Sequence, residues 1–476
     1  MWADPASRNG PSLAARDGGA SVAGRLSQDS PLSRSRLRRL AGDPAVLLAL
    51  VLAGAGLVEA WDLGRRSAGL DFYQFWVVAQ VAGREDVPNV YGDEARARVG
   101  EEFVQRSLTD EDSERRRVVA RPWKVLEPTA TPLLYTAFRP LSGGTYEGDY
   151  RAFRLLSLAA CAAGLVAIAR LLGHGSALAL IVLAFVAHSF QPLKSDIRVG
   201  NVNEAQLGVI AACLWLSSRD DRSRLQIAAG ALLALLVVFK PNLLPLVPVL
   251  AVSWFLRGRR RKLALQAIGL AVGAALGALL PLLTFGTLQA WPDWFAYLTA
   301  LPASKIPLRF GNMGLARLLF EATDVDLAPL LAAAALGAVL ACLWLGRRRG
   351  ADDPPQPAAV EDTAALAAGC LVYLLSSPMV WLHYMLLALP AALVLLRENQ
   401  GGGRAVWQVV LTVLALVGIA LDPVADLFGV RDLRHQALIT SLALLALFVL
   451  LCLEMARGAA LPRPVGGTTI LAGGAP

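Results

Sequence analysis

Several clusters of polar residues interrupt an otherwise apolar chain, and they carry the side-chain types needed to move a proton and hold an anion. Asp71 heads the stretch Asp71-Phe72-Tyr73-Gln74-Phe75-Trp76, a few residues beyond the first long apolar run. Two readings are open for it. It is an interfacial carboxylate solvated by headgroup water, or a general base aimed at a hydroxyl, since an ionisable group at a span end does chemistry only where it faces a cavity. Glu59 and Asp62 precede the aromatic stretch and are weaker candidates. The segment from Gln191 to Glu204 packs Lys194, Asp196, Arg198, Asn201, Asn203 and Glu204 between apolar runs. Lys194 and Arg198 are four apart, so one face of a helical turn would present both to a phosphate. The alternative is that they snorkel to headgroups, but amides and acids at the mouth of a span are expensive and favour a site.

Two further breaks have the same character. Lys240-Pro241-Asn242 lies in the middle of the apolar residues 225–256 and turns them into a hairpin. Proline explains the break and lysine does not, because a cation at mid-bilayer costs about 2.5–3.5 kcal/mol on insertion scales. An anionic partner accounts for Lys240 more simply than a lysine snorkelling to lipid phosphate. In the break Ser376-Ser377-Pro378-Met379-Val380-Trp381-Leu382-His383-Tyr384, Trp381 and Tyr384 alone would read as an aromatic belt. His383, one of four histidines, could donate to a phosphate or hydroxyl or be a satisfied interfacial imidazole.

These groups need a membrane scaffold to position them. The chain has 476 residues, is 55% hydrophobic and has a mean hydropathy of +0.51. Apolar runs of roughly 15 to 23 residues recur, lengths that span a hydrocarbon core. The fold class is all-α, a polytopic integral membrane protein of about twelve transmembrane helices. The spans are predicted over residues 44–61, 152–172, 175–191, 203–217, 225–239, 241–256, 263–285, 327–345, 363–376, 378–396, 406–421 and 434–455. The formal charge of +8 does not point to nucleic acid, because the cations sit in short loops between apolar runs. The five cysteines lie within apolar segments at unrelated spacings, so neither a disulfide framework nor a zinc site is indicated.

Arginine-rich loops set the orientation: Arg34 to Arg39, Arg219 to Arg224, Arg257 to Lys262, Arg347 to Arg349, and Arg397 with Arg404 occupy alternate connections. Both termini are then cytoplasmic in a plasma membrane, with residues 1–40 and 457–476 as disordered tails around a membrane domain over 41–456. The first apolar run lacks a small-residue cleavage site and is expected to be retained. The outward loops are 62–151, 190–202, 286–326 and 422–433, together with the breaks at Lys240 and Ser376. In the first of these, Phe72, Phe75, Trp76 and Ala79 recur at helical spacing and predict an interfacial helix. Pro128-Thr129-Ala130-Thr131-Pro132-Leu133-Leu134-Tyr135 predicts a second, re-entrant or surface-lying element, too short to span. In the loop 286–326, Trp291, Trp294 and Tyr297 suggest another surface helix, with Lys305, Arg309 and Asn312 as unspecific contacts.

In this order the pieces resemble glycosyltransferase family 87, the DUF2029 type, within the GT-C superfamily. The resemblance rests on Asp71 and Tyr73 just after the first span, Gly200-Asn201-Val202-Asn203 opening a span, the hairpin from Gly230 to Pro241, and Ser377, Pro378, Trp381 and His383. The family's Tyr-Pro-Pro-like element is replaced here by Ala130-Thr131-Pro132-Leu133. The resemblance implies transfer of a mannose- or arabinose-like sugar from a polyprenyl-phosphate donor to a lipid, glycan or protein acceptor at the extracytoplasmic face. It implies inversion, with neither a metal nor another cofactor. Asp71 would be the general base, with Lys194, Arg198, Lys240 and His383 on the donor phosphate. Tyr73, Asp196, Asn201, Asn203, Glu204, Asn242, Trp381 and Tyr384 would line the substrates. The alternative reading is a transporter or lipid flippase, which also uses intramembrane charges and broken helices.

Overall fold

The computed structural model describes residues 43–109, 114–301, 308, 311–349, 357–397, 405–420 and 432–457. The expected tails, the loop 422–433 over most of its length, Lys305, Arg309 and Arg404 lie outside the described residues. A short first unit extends to Leu47, in which Asp43 accepts a hydrogen bond from the Ala45 amide at 2.9 Å; the second unit carries everything from Leu48 onward.

Among the described residues all regular structure is helical. The α-helices are α1 Pro44–Arg66, α2 Leu70–Val81, α3 Asp93–Thr109, α4 Glu114–Ala120, α5 Pro132–Phe138, α6 Tyr146–Leu171, α7 Ser176–Ser189, α8 Gln191–Val199, α9 Asn203–Ser217 and α10 Ser223–Phe239. They continue as α11 Leu246–Leu256, α12 Arg260–Leu279, α13 Leu282–Phe285, α14 Ala290–Thr299, α15 Leu315–Thr323, α16 Ala328–Arg349, α17 Ala358–Ser376, α18 Leu389–Leu395, α19 Val406–Ala420 and α20 Leu433–Arg457.

Among the described residues six helices are long and apolar enough to cross a membrane, or seven if the bent pair α7–α8 is one span. This is a polytopic membrane protein, with fewer full-length spans than the twelve that hydropathy predicts. Part of the difference lies where polar breaks cut the apolar runs. Phe190 and Pro192 bend α7 into α8 by 59°, so much of the expected outward loop 190–202 is helix. Pro241 opens a 3-10 turn, Pro241–Leu243, before α11. The expected span 378–396 is a 3-10 stretch, Leu382–Ala388, running into α18.

The first long loop holds α2 to α5, and α5 is too short to span, as its prolines predict. The interfacial reading of α2 is corrected: Phe72 to Ala79 are all buried, leaving no wet face. Helix α2 is instead the spine of an aromatic core. Phe72 lies 5.1 Å from the Phe153 ring, and Phe75 lies 5.1 Å from the Phe138 ring. Rings at such offsets add about 0.5–1.5 kcal/mol per pair beyond their burial. The remaining helices form a second core from α6 to α20. Within it, α10 and α12 meet backbone to backbone at Gly230, Gly269 and Gly273, the small-residue packing that membrane helices use where water does not drive association.

A polar clamp closes the end of the bundle where α9 stops and α12 starts. Lys262 Nζ donates to Asp362 Oδ2 and Asp220 Oδ1, each at 2.8 Å, and to the Ser217 carbonyl at 2.6 Å. Trp254 Nε1 donates to Asp362 Oδ1 at 2.8 Å, and Arg257 and Arg259 both pair with Glu361. This ties α9, α11, α12 and α17 together at the end opposite Asn203 and Lys240.

Candidate active site

Two left-handed glycines bring the distant pieces together. Gly200 ends α8 at φ 72°, and its amide and that of Asn201 both return to the Asp196 carbonyl, at 2.8 and 3.3 Å. Only a residue without a Cβ takes this conformation cheaply at a helix C-terminus. Gly69, also left-handed at φ 76°, precedes α2 and donates its amide to the Arg198 carbonyl at 3.2 Å. A Cβ on Gly200 would lie 2.8 Å from the Phe72 Cβ and 3.4 Å from the Gly69 Cα. The close approach of these turns sets Asp71 beside Asn201, across 130 residues of sequence.

A chain of hydrogen bonds follows. Asn201 Nδ2 donates to Asp71 Oδ2 at 2.7 Å, and Asn201 Oδ1 accepts from Lys240 Nζ at 3.1 Å. Lys240 Nζ also donates to Asn203 Oδ1 at 2.9 Å, and Asn203 Nδ2 donates to Asp196 Oδ1 at 2.7 Å. Each amide thus accepts from the cation and donates to a carboxylate, which fixes both amide orientations. Lys240 touches neutral oxygens and lies 4.2 Å from the centre of the Tyr384 ring. Among the described residues no carboxylate is in direct contact with it, so the two amides stand between its charge and those of Asp71 and Asp196.

Accessibility divides the network into two sets. Asp71 and Lys240 are half-buried, whereas Asp196, Asn203 and Glu204 are fully enclosed. Burial pushes the Asp71 carboxyl up to about 6; the Asn201 hydrogen bond opposes that rise and Asp196 adds to it. A carboxyl so tuned is ionised at neutral pH yet basic enough to take a proton. Beneath Lys240, the His383 ring lies 4.8 Å from Tyr384, and His383 Nε2 finds no hydrogen-bond partner among the described residues. Thr131 donates to the Phe239 carbonyl at 3.0 Å, which docks α5 against the residue preceding Lys240. Among the described residues no three His, Cys, Asp or Glu side chains gather as a metal cage would require.

Other sequence candidates are placed elsewhere. Lys194 pairs with Glu59 at 3.2 Å, and the same carboxylate takes His188 Nδ1 at 2.9 Å. Lys194 is therefore engaged with α1 and is not part of the Asp71 network. Arg198 is exposed at the end of α8 and forms no ion pair among the described residues. Tyr73 is buried against Trp76 and Tyr146, inside the aromatic core. Asn242 reaches Tyr373 of α17, and Trp381 is half-buried, its backbone bridged to Asn312.

Sequence reasoning missed Arg154, fully buried on α6. Its Nη2 donates to Glu204 Oε1 at 2.6 Å, and the Glu204 amide donates to Asp196 Oδ2 at 3.2 Å. The signal was present, since an arginine inside an apolar run demands a buried acid.

The model of glycosyltransferase family 87 matches residues 129–378, more than half of the chain. The matched region contains α5, the segment Lys194 to Glu204, and Lys240; Asp71 and His383 lie outside it. No curated protein and no solved structure matches the chain. The family match and the apolar helices together identify the chain as a member of glycosyltransferase family 87, a membrane-embedded glycosyltransferase.

Proposed function

We propose that the protein transfers a mannose- or arabinose-like sugar from a polyprenyl-phosphate donor to a lipid, glycan or protein acceptor at the extracytoplasmic face, with inversion. The observation that carries this reading is the single amide, Asn201, that joins Asp71 to Lys240. It holds an accessible base and an accessible cation one side chain apart, which is what displacement of a phosphate from a sugar needs.

In the reaction the acceptor oxygen attacks the anomeric carbon as the bond from that carbon to the phosphate oxygen breaks. The acceptor proton passes to an Asp71 oxygen, and the electron pair of the broken bond stays on the polyprenyl phosphate. Lys240 stabilises the developing monoester charge, with exposed Arg198 as a second cation near the mouth. Asn201 keeps Asp71 aimed and Asn203 keeps Lys240 aimed; Asp196, Glu204 and Arg154 hold both amides from behind. The Tyr384 ring faces the cation, with His383 beside it; Trp381 and Asn242 would meet the substrates.

Outside the cytoplasm soluble nucleotide sugars are absent, so a lipid-linked donor suits a site at the ends of spans. The clamp around Lys262 and Asp362 ties the other end of the bundle together, which favours an enzyme over a transporter open to both sides. The test is incubation of purified protein with labelled polyprenyl-phosphate mannose or arabinose and a membrane lipid extract. Release of polyprenyl phosphate with a new labelled product supports the reading. Intact donor with both sugars, under conditions where the protein stays folded, overturns it.

A further inference from the structure

Asn312 belongs to the connection 286–326, yet it is only 1% exposed. A buried amide needs partners at both ends, and the break after Ser376 supplies them. Asn312 Nδ2 donates to the Pro378 carbonyl at 2.8 Å, and Asn312 Oδ1 accepts from the Val380 amide at 3.0 Å. Beside it, the Met313 amide donates to the Val380 carbonyl at 2.7 Å, and Ser441 Oγ of α20 donates to the Met313 carbonyl at 3.5 Å. Asn312 Oδ1 also accepts from the Gly314 amide at 3.0 Å, and a Cβ on Gly314 would lie 3.0 Å from the Ser377 carbonyl oxygen. Connection and break therefore meet backbone to backbone.

The contact matters because the break is not helical there. Residues 377–381 lie between the end of α17 and the 3-10 stretch Leu382–Ala388. Their backbone groups lack a helix ladder and must find partners elsewhere in the protein. Asn312 serves two of them, one on either side of Met379. Only a side chain that donates and accepts at once can do so. Four residues beyond Val380, the Tyr384 ring lies 4.2 Å from Lys240 Nζ, and the Tyr384 amide donates to the Trp381 carbonyl at 2.9 Å. A short run of backbone thus joins the Asn312 contact to the ring that faces the cation.

We propose that Asn312 is a positioning residue for sugar transfer: by gripping Pro378 and Val380 it holds the Tyr384 ring against Lys240, and so fixes where the cation meets the donor phosphate. The inference rests on the reading of Lys240 as the cation for a polyprenyl-phosphate donor. Asn201 and Asn203 hold Lys240 from the start of α9, and the Tyr384 ring holds it from the break. Without the Asn312 side chain two backbone groups of the break lose their partner, the break relaxes, and the ring no longer steadies the cation.

The test is binding of polyprenyl phosphate to the full chain in nanodiscs, for the wild type, Asn312→Ala, Tyr384→Leu and the double variant. Asn312→Ala should weaken the affinity roughly tenfold, the scale of a cation–π contact. In the Tyr384→Leu background the same substitution should change it by less than about twofold, because residues that act through one another are not additive. A merely structural role would lower the amount bound at saturation, through fewer folded molecules, without moving the affinity. Should Asn312→Ala not fold, Asn312→Asp gives the same comparison, since it keeps the acceptor contacts and loses the donor to Pro378. Unchanged affinity in the folded variant, or an equal loss in both backgrounds, would overturn the inference and leave the donor reading standing. A wild type that does not bind polyprenyl phosphate removes the donor reading, and the inference with it.

Discussion

Replacing Asp71 by asparagine separates catalysis from folding. Asparagine has nearly the same shape, and its carbonyl oxygen can still accept the Asn201 amide now held at 2.7 Å, so the network keeps its geometry. On the proposed mechanism what is lost is the base, and general-base assistance contributes typically about 10² to 10⁴ in rate. The stability effect has the opposite sign. Burial raises the carboxyl from 3.8 to about 6. A folded-state value above the unfolded one means that the ionised group opposes folding: stability falls as pH rises from about 4 through 6, and the loss is complete above 6. About two pK units correspond to about 3 kcal/mol at neutral pH, so Asp71→Asn should melt no lower, and at neutral pH higher, than the wild type. In the wild type, turnover should rise with pH through about 6 as Asp71 ionises, and this acid limb should vanish from the residual activity of the variant. The assay is polyprenyl phosphate release from reconstituted protein across pH, paired with thermal unfolding. A variant retaining near-normal turnover, or one that keeps the acid limb, would falsify the assignment of Asp71 as the base.

The other predictions concern how the site is held. Gly200→Ala forces a side chain at φ 72° and brings its Cβ to 2.8 Å from Phe72; with displacement of Asn201 by about 1 Å, turnover should drop roughly 10²-fold, measured against donor binding, which should change less. Arg154→Met strands Glu204 in an enclosed site and should cost about 3–5 kcal/mol in chemical unfolding, whereas Arg154→Met with Glu204→Gln should recover most of it; equal destabilisation in both would mean the pair is not coupled. Lys194→Ala should leave turnover within about twofold, because its partner Glu59 is half exposed and such pairs contribute about 0–1 kcal/mol. A large loss of donor affinity in that variant would place Lys194 on the donor after all.

Much of the site is legible in the amino-acid sequence because polar residues inside apolar runs are costly and therefore conspicuous. Asn201, Asn203, Glu204 and Lys240 stand out for that reason, and the fold joins them. Lys194 stands out equally, yet it faces Glu59, because a four-residue spacing defines a helix face without saying what that face meets. Tyr73 and the α2 aromatics illustrate the same limit: helical spacing is visible in the sequence, but burial on every side depends on α5 and α6 closing over it. The count of about twelve spans exceeds the six or seven full-length apolar helices among the described residues for a related reason, since hydropathy sums a window and does not register a bend at Phe190 or a 3-10 stretch after Trp381.

By itself the sequence determined the solvent, the helical class and the cost of each buried charge, because these follow from composition and local spacing. Which charge meets which partner was decided only by tertiary structure. Asp71 reaches Asn201 because two glycines permit a contact between turns 130 residues apart, and Arg154 finds Glu204 because α6 packs along α9. Such contacts depend on the path of the whole chain through the membrane, which no local stretch of residues encodes.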